Sequence, residues 1–475
     1  MKKTKLICTI GPSSEDHEIL KSMILAGMNG ARLNFSHGTH EEQKRKIKLI
    51  KELRKELGLP VSIILDTKGP EIRTGKFKEK ETELEEGQRF IITNEEVLGT
   101  NEICSISYKG LIDDVKPGDQ LLIDDGLVGM TIDEIKDGKI ICTVNNGGLI
   151  KDYKSINVPG VKVKLPAITD KDREDIEFGI REDVDFIAAS FVRKASDVLK
   201  MRGFLALRGA EHIKIISKIE NKEGVDNLKD IIHASDGIMV ARGDLGVEIP
   251  AEQVPLIQKK IIKLCNLEGK FVITATQMLD SMMRNPRPTR AEVTDVANAV
   301  FDGTDVIMLS GETASGKYPI EAVQKMVDIA VAAEQALDYG SILNEKHQVK
   351  DSSVTNAIGY ATCTSALGLG AAAILTPTAS GYTAQVVSKF RPKAPILAFT
   401  STERVARSLS LIWGVTPLLY QYADTEKGVF REAIVAAINK GFLKEGDLVI
   451  ITAGVPVGVG GTTNMMRIHI IGNQI

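Results

Sequence analysis

Two stretches carry residues whose types fit one chemistry. Ile213–Ile216 is mostly apolar and is followed by Ser217, Lys218 and Glu220; Ile238–Val240 is apolar and is followed by Arg242, Gly243, Asp244, Gly246 and Glu248. Charge placed where a buried strand stops is costly unless it binds something. Glu220 and Asp244 are hard oxygen ligands, suited to magnesium that keeps waters and substrate oxygens. Lys218 is a point charge for a transferring oxygen, and Arg32 and Arg73 can each grip a phosphate bidentately. Positioning and charge neutralisation are what phosphoryl transfer needs. A second set, Asn34, Ser36, Asp66 and Thr67, offers oxygens with one formal charge among them, which suits a monovalent cation.

These residues need a frame that brings them together. Leu6–Ile10, Ala31–Phe35 and Val61–Leu65 read as strands, with helical spacing over Asp16–Ala26 and Glu41–Leu57 between them. That βαβαβ series implies a parallel sheet. From about Gly69 to Pro166 no long helical period appears. Short runs such as Phe90–Thr93, Gln120–Ile123 and Lys139–Thr143, punctuated by Pro117-Gly118 and Asp137-Gly138, predict an inserted all-β module. Alternation resumes with a helix over Asp170–Arg181, capped by Thr169 or Asp170. Strands follow at Phe186–Ala189, Ile213–Ile216, Ile238–Val240, Phe271–Thr274 and Val306–Leu309. Eight strands, each eventually followed by a helix, make an α/β (β/α)₈ TIM barrel. The alternative is an open doubly wound sheet, but no dinucleotide-type glycine fingerprint follows the first strand. Ala332–Lys350 reads as a linking helix and tail. From Ser352 onward, runs at Ala371–Leu375, Pro395–Phe399, Leu418–Tyr420, Leu448–Thr452 and Ile468–Ile471 predict a separate, smaller α/β domain. The expected division is 1–69 with 167–345, 70–166, and 346–475.

In such a barrel, chemistry sits at the carboxyl ends of the strands. Those ends gather Arg32, Asn34, Ser36 and His37 from strand two; Asp66, Thr67 and Arg73 from strand three; and Lys218 and Glu220 from strand five. Strand six adds Arg242 and Asp244, strand seven Thr276 and Gln277, and strand eight Ser310 and Glu312. Any one of them alone can also be read as an ion pair or a cap; packing does not account for the set. Gly311 to Tyr318 nearly matches a phosphate-binding loop, but Tyr318 stands where that loop needs a small hydroxyl, and Pro319 follows.

Bulk properties narrow the class. A chain of 475 residues exceeds one ordinary core. Its 60 basic and 63 acidic residues, net charge -3, offer no basic excess for nucleic acid or a membrane surface. Cys8, Cys104, Cys142, Cys265 and Cys363 are scattered without metal spacing, which fits a reduced, cytoplasmic interior. The apolar run after Met1-Lys2-Lys3 is short and soon meets Glu15 and Asp16, so no signal peptide is expected, and no segment is apolar enough to span a bilayer.

The chain resembles the pyruvate kinase family, in its bacterial form, over its whole length. The resemblance is carried by Ile215-Ile-Ser-Lys218-Ile-Glu220-Asn221-Lys-Glu223-Gly224-Val225, Arg32-Leu-Asn34-Phe-Ser36-His37-Gly38, Leu65-Asp66-Thr67-Lys68-Gly69-Pro70-Glu71-Ile72-Arg73 and Met239-Val-Ala-Arg242-Gly243-Asp244-Leu-Gly246. Ala275-Thr276-Gln277-Met278-Leu279 and Asn285-Pro286-Arg287-Pro288-Thr289-Arg290-Ala291-Glu292 add to it. It implies a barrel, a small β-barrel lid inserted after strand three, and a C-terminal regulatory domain. It implies phosphoryl transfer from phosphoenolpyruvate to ADP, giving pyruvate and ATP in glycolysis, with magnesium or manganese and with potassium. Carried over, Lys218 stabilises the transferring group and Glu220 and Asp244 bind magnesium. Arg32, Gly243 and Thr276 hold phosphoenolpyruvate, and Asp244 borders it. Thr276 is also near protonation of the enolate. Asn34, His37, Arg73 and Lys154 lie near the nucleotide, although Ser155 follows Lys154 where the family usually has glycine. Asn34, Ser36, Asp66 and Thr67 match the potassium site, and Glu71 is the type found in potassium-dependent members. The lid closes to exclude water. A homotetramer is usual.

After the run Ala371–Leu375, Thr376 to Thr383 leads into a helix. Thr378, Ser380, Gly381 and Thr383 at a helix N-terminus make an anion site, because free N–H groups and the helix dipole point there. The glycine-rich Gly454–Gly461, with Thr462 and Thr463, comes from a later strand end and can face it across an open parallel sheet. This resembles the family's site for a phosphorylated effector. The bland reading is an ordinary cap and turn. Two rival functions are another magnesium-dependent barrel lyase or aldolase acting on phosphoenolpyruvate or pyruvate, and a non-catalytic sensor. The first needs neither the lid nor Arg32 and Arg73; the second would have lost Lys218 or a metal ligand.

Overall fold

The computed structural model describes residues 2–347, 353–421, 423, 425–456, 461 and 463–474. Eight parallel strands close into a barrel: Lys5–Thr9, Gly30–Asn34, Ser62–Asp66, Phe186–Ala189, Lys214–Ile219, Gly237–Ala241, Phe271–Ala275 and Val306–Leu309. Their near-continuous burial follows from helices outside and packed side chains inside. Ile64, Phe186, Ile216, Met239 and Ile273 belong to an inner cluster that continues into the C-terminal domain through Ile396, Leu411 and Ile412.

Three local readings change. Strand five runs to Ile219, so Lys218 stands inside the strand and not after it. A short helix, Arg242–Glu248, follows strand six at once; Gly243 and Gly246 are poor helix formers and hide it. Ala332 lies inside the last barrel helix, Pro319–Gln335, and a separate helix spans Tyr339–His347.

Between strand three and the helix Asp170–Arg181, the inserted module folds as a seven-stranded sheet around its own core, which includes Phe90, Leu121, Met130 and Ile140. The sheet curls until its edges, Ile72–Arg73 and Ile103–Ser105, almost meet: Thr74 and Ile106, the next residues on each, form a single bridge.

The C-terminal sheet has the order Val415–Leu419, Ile396–Thr400, Ala373–Pro377, Leu448–Ala453, Met465–Ile470. Its last strand is antiparallel, so the sheet is mixed and not purely parallel as expected. The connection after Ala453 holds no crossover helix among its described residues, and a parallel return needs one. This domain docks at the amino ends of the barrel strands. Arg407 pairs with Asp185 at 2.6 Å and Asp183 at 2.8 Å, Arg391 pairs with Asp305 at 2.8 Å, and Lys5 Nζ donates to the Val415 carbonyl at 2.5 Å. No described helix is long and apolar enough to cross a membrane, and all five cysteines are unpaired and buried.

Candidate active site

The carboxyl ends of the strands converge on a charge cluster centred on Lys218. Its Nζ donates to Asp66 Oδ1 at 3.1 Å and Ser190 Oγ at 2.8 Å, and lies 2.9 Å from Glu220 Oε1. Burial works against the Lys218 charge, but Asp66 and Glu220 outweigh it and hold the ammonium above the ordinary lysine value. Asp66 also takes Arg32 Nε on its other oxygen at 2.5 Å. Burial pushes the Asp66 carboxyl up, but Arg32 and Lys218 prevail and keep it below its usual range. Arg32 is further fixed by the Thr9 hydroxyl at 3.0 Å.

Glu220 is in the opposite condition. Burial, aided by the charge of Asp244 and opposed by Lys218, lifts its carboxyl to about 7. Its Oε2 accepts from the Phe191 amide at 2.6 Å, while buried Oε1, though within ion-pair distance of Lys218, has no aligned hydrogen bond. A buried carboxylate oxygen left short of a donor, beside a second carboxylate, fits a divalent cation. Among the described residues no group of three or more His, Cys, Asp or Glu surrounds such a position. A cation there would be shared with substrate oxygens.

Asn34 and Asp66 are partners in register on strands two and three. Asn34 Oδ1 accepts from the Ser36 amide at 3.0 Å. The Thr67 hydroxyl is engaged with the Ala188 carbonyl at 3.3 Å and the Ser190 amide at 3.2 Å. The donor set still has one formal charge, and that charge already faces Arg32 and Lys218.

Gly243 and Thr276 are brought into contact: a Cβ on Gly243 would stand 3.0 Å from Thr276 Cγ2. Thr276 and Gln277 hold φ of +75° and +53°. Left-handed backbone is an outlier for a β-branched residue and concentrates at functional sites. Arg242, expected at the mouth, turns into the wall instead, where it binds the Thr276 carbonyl at 2.7 Å and Asp295 at 2.8 Å. Glu312 is likewise structural, accepting from the Leu279 amide at 3.0 Å and the Ser310 amide at 2.8 Å.

His37, Arg73, Lys154 and Asp244 line one cleft of about 520 Å³ between lid and barrel. Arg73 donates to Glu71 at 2.6 Å and to the Tyr153 carbonyl at 2.7 Å, and Lys154 pairs with Asp124 at 2.9 Å. Strands one and four contribute no site residue to the sequence reading; the structure adds Thr9 and Ser190. The signal for Ser190 was present, since it is the first polar residue after Phe186–Ala189.

In the C-terminal domain, Gly381, at φ +88°, caps the helix Tyr382–Lys389, and its amide donates to the Thr378 hydroxyl at 2.9 Å. The buried Thr383 accepts from Thr463 at 3.0 Å, so the two loops do touch. Ser380 is exposed. Of the glycine-rich loop, 457–460 and Thr462 lie outside the described residues.

A family model described as pyruvate kinase, barrel domain, matches residues 1–323, and one described as pyruvate kinase, alpha/beta domain, matches residues 356–469. The chain is 56% identical over 476 residues to a pyruvate kinase of Geobacillus stearothermophilus, covering 100% of this chain and 81% of that one. It is 54% identical over 472 residues to a pyruvate kinase of Clostridium acetobutylicum, covering 99% and 100%. The crystal structure of a pyruvate kinase from Cryptosporidium parvum matches with a TM-score of 0.94 at 43% identity, covering 99% of this chain and 96% of that one.

Proposed function

The chain belongs to the pyruvate kinase family, and on that premise we propose how its residues divide the work. It is a phosphotransferase that moves the phosphoryl group of phosphoenolpyruvate to ADP, giving pyruvate and ATP. Lys218 neutralises charge on the transferring group, where a fixed cation in a water-poor site acts most strongly. Arg32 and Gly243 hold phosphoenolpyruvate, with Asp244 beside it. Thr276 orients the substrate and stands near the carbon that is protonated. Asn34, His37, Arg73 and Lys154 meet the nucleotide. Glu220 and Asp244 would hold a divalent metal, which supplies further charge neutralisation. Asn34, Ser36, Asp66 and Thr67 would hold potassium. The lid, 70–166, closes over the barrel, 1–69 with 167–345, and the C-terminal domain, 346–475, takes a phosphorylated effector. A homotetramer in the cytoplasm completes the reading.

The observation that carries it is Lys218 Nζ, fixed by Asp66 and Ser190 and kept charged despite burial. The test is a coupled assay with phosphoenolpyruvate, ADP, magnesium and potassium. ATP formation that requires all four is expected; cleavage or condensation of a carbon chain without ADP would point to the lyase or aldolase alternative.

A further inference from the structure

The chain leaves the barrel for the lid at Gly69 and re-enters it at Thr169, and one carboxylate holds both crossings. Asp172 Oδ1 accepts from the Gly69 amide at 3.0 Å. Its Oδ2 accepts from the Thr169 amide at 2.9 Å and the Thr169 hydroxyl at 2.7 Å. Asp172 is 1% exposed, so an acceptor left unmet there is costly. A capping box accounts for the Thr169 half, because Thr169 is the N-cap of this helix and Asp172 its third residue. It does not account for the Gly69 half, which comes from a residue 103 positions away.

Gly69 sits where only glycine fits. Its φ is +72°, and a Cβ there would stand 2.7 Å from Ser190 Cβ and 2.9 Å from Phe191 Cδ2. Those two residues are the ones that hold Lys218 and Glu220. The returning segment is gripped a second time by Arg193, whose guanidinium donates to the Val163 and Leu165 carbonyls at 2.6 and 2.5 Å.

We propose that Asp172 is a positioning residue for phosphoryl transfer, setting the pose of the lid by tying both of its connecting segments to one helix end. The proposal rests on the reading of 70–166 as a closing lid. In Asp172→Asn the amide nitrogen cannot accept, so one crossing is released. With the full chain and its metals, the half-saturating ADP concentration should rise about tenfold, the effect of one charge-assisted hydrogen bond. Pyruvate should form in excess of ATP, because a loose lid admits water. Phosphoenolpyruvate binding without nucleotide, read by calorimetry, should stay within about twofold, since it does not use the lid. An unchanged ADP requirement with one ATP per pyruvate in the folded variant overturns the proposal.

Should Asp172→Asn fail to fold, Thr169→Val removes the two bonds of the Thr169 hydroxyl, to the Asp172 carboxylate and from the Asp172 amide, and should shift ADP saturation in the same direction, about threefold, while Thr169→Ser restores it. No shift in Thr169→Val overturns the proposal as well. Hydrogen exchange of Ser155–Asn157 in the parent separates the two levels. Protection unaffected by ADP with magnesium defeats the lid reading itself; protection gained in the parent, with normal kinetics in the variants, defeats only the role of Asp172.

Discussion

The Thr276 carbonyl accepts two N–H bonds from one guanidinium, Arg242 Nη2 at 2.7 Å and Nε at 3.2 Å. The same guanidinium is anchored to Asp295. A threonine at φ +75° costs about 1–3 kcal/mol and persists only where its surroundings over-determine it; the two bonds from Arg242 help to do so.

Arg242→Lys keeps the charge but loses the fork, and should lower kcat about tenfold. Combined with Thr276→Ala it should add little, because both changes remove one arrangement. Losses that multiply in the double variant would show that Arg242 acts through something other than Thr276.

Lys218→Met should lower kcat by at least ~10²-fold, the usual cost of one preorganised electrostatic donor, while phosphoenolpyruvate still binds. Steady-state kinetics with direct binding checks this. A variant within a factor of a few of the parent removes Lys218 from the mechanism.

Glu220→Gln or Asp244→Asn should raise the half-saturating magnesium concentration at least ~10-fold, since each removes an anionic hard ligand. Potassium is expected to be needed separately. Full activity in a buffer holding only bulky organic cations would exclude the site at Asn34, Ser36, Asp66 and Thr67.

A sugar phosphate or nucleoside monophosphate should lower the half-saturating phosphoenolpyruvate concentration, with a coupling of ~1–3 kcal/mol. Thr378→Ala with Ser380→Ala should abolish the response. Activation that survives the pair places the effector elsewhere; no response to any phosphorylated metabolite makes the helix cap purely structural.

Lys5 gives a pH dependence to domain docking. Burial, opposed by Glu334, pulls its ammonium from 10.5 down to about 8. Between those values the unfolded chain binds the proton that the folded chain has lost, so stability should rise with pH from about 8 to 10.5. Denaturant midpoints across that window measure the slope, which Lys5→Met should reduce but not abolish, because burial lowers Lys2, Lys3 and Lys346 in the same way.

The eight strands are legible because each is a short apolar run buried on both faces. The end of strand five is not, because Ser217 and Lys218 look like a stop. In the fold the Ser217 hydroxyl is paired with Ser235 at 2.6 Å, and the Lys218 side chain reaches into the mouth. Residue types name Lys218, Glu220 and Asp244, but not the partners that fix them. Ser190, Phe191 and Asp172 act through contacts between distant segments, and no local pattern encodes these. Arg242 misleads for the same reason, since its type suits a phosphate while its position serves Thr276.

Strand four has a further consequence. Asp185, just before it, receives Arg407 from the C-terminal domain; Ser190, just after it, receives Lys218. At ~3.3 Å per residue, those six residues make a strut roughly 17–20 Å long. Hydrogen-bonded to a neighbour on each side, it resists stretching and compression. Arg407, on the helix Glu403–Leu409, is thus separated from Ser190, the partner of Lys218, by one strand with no loop in between.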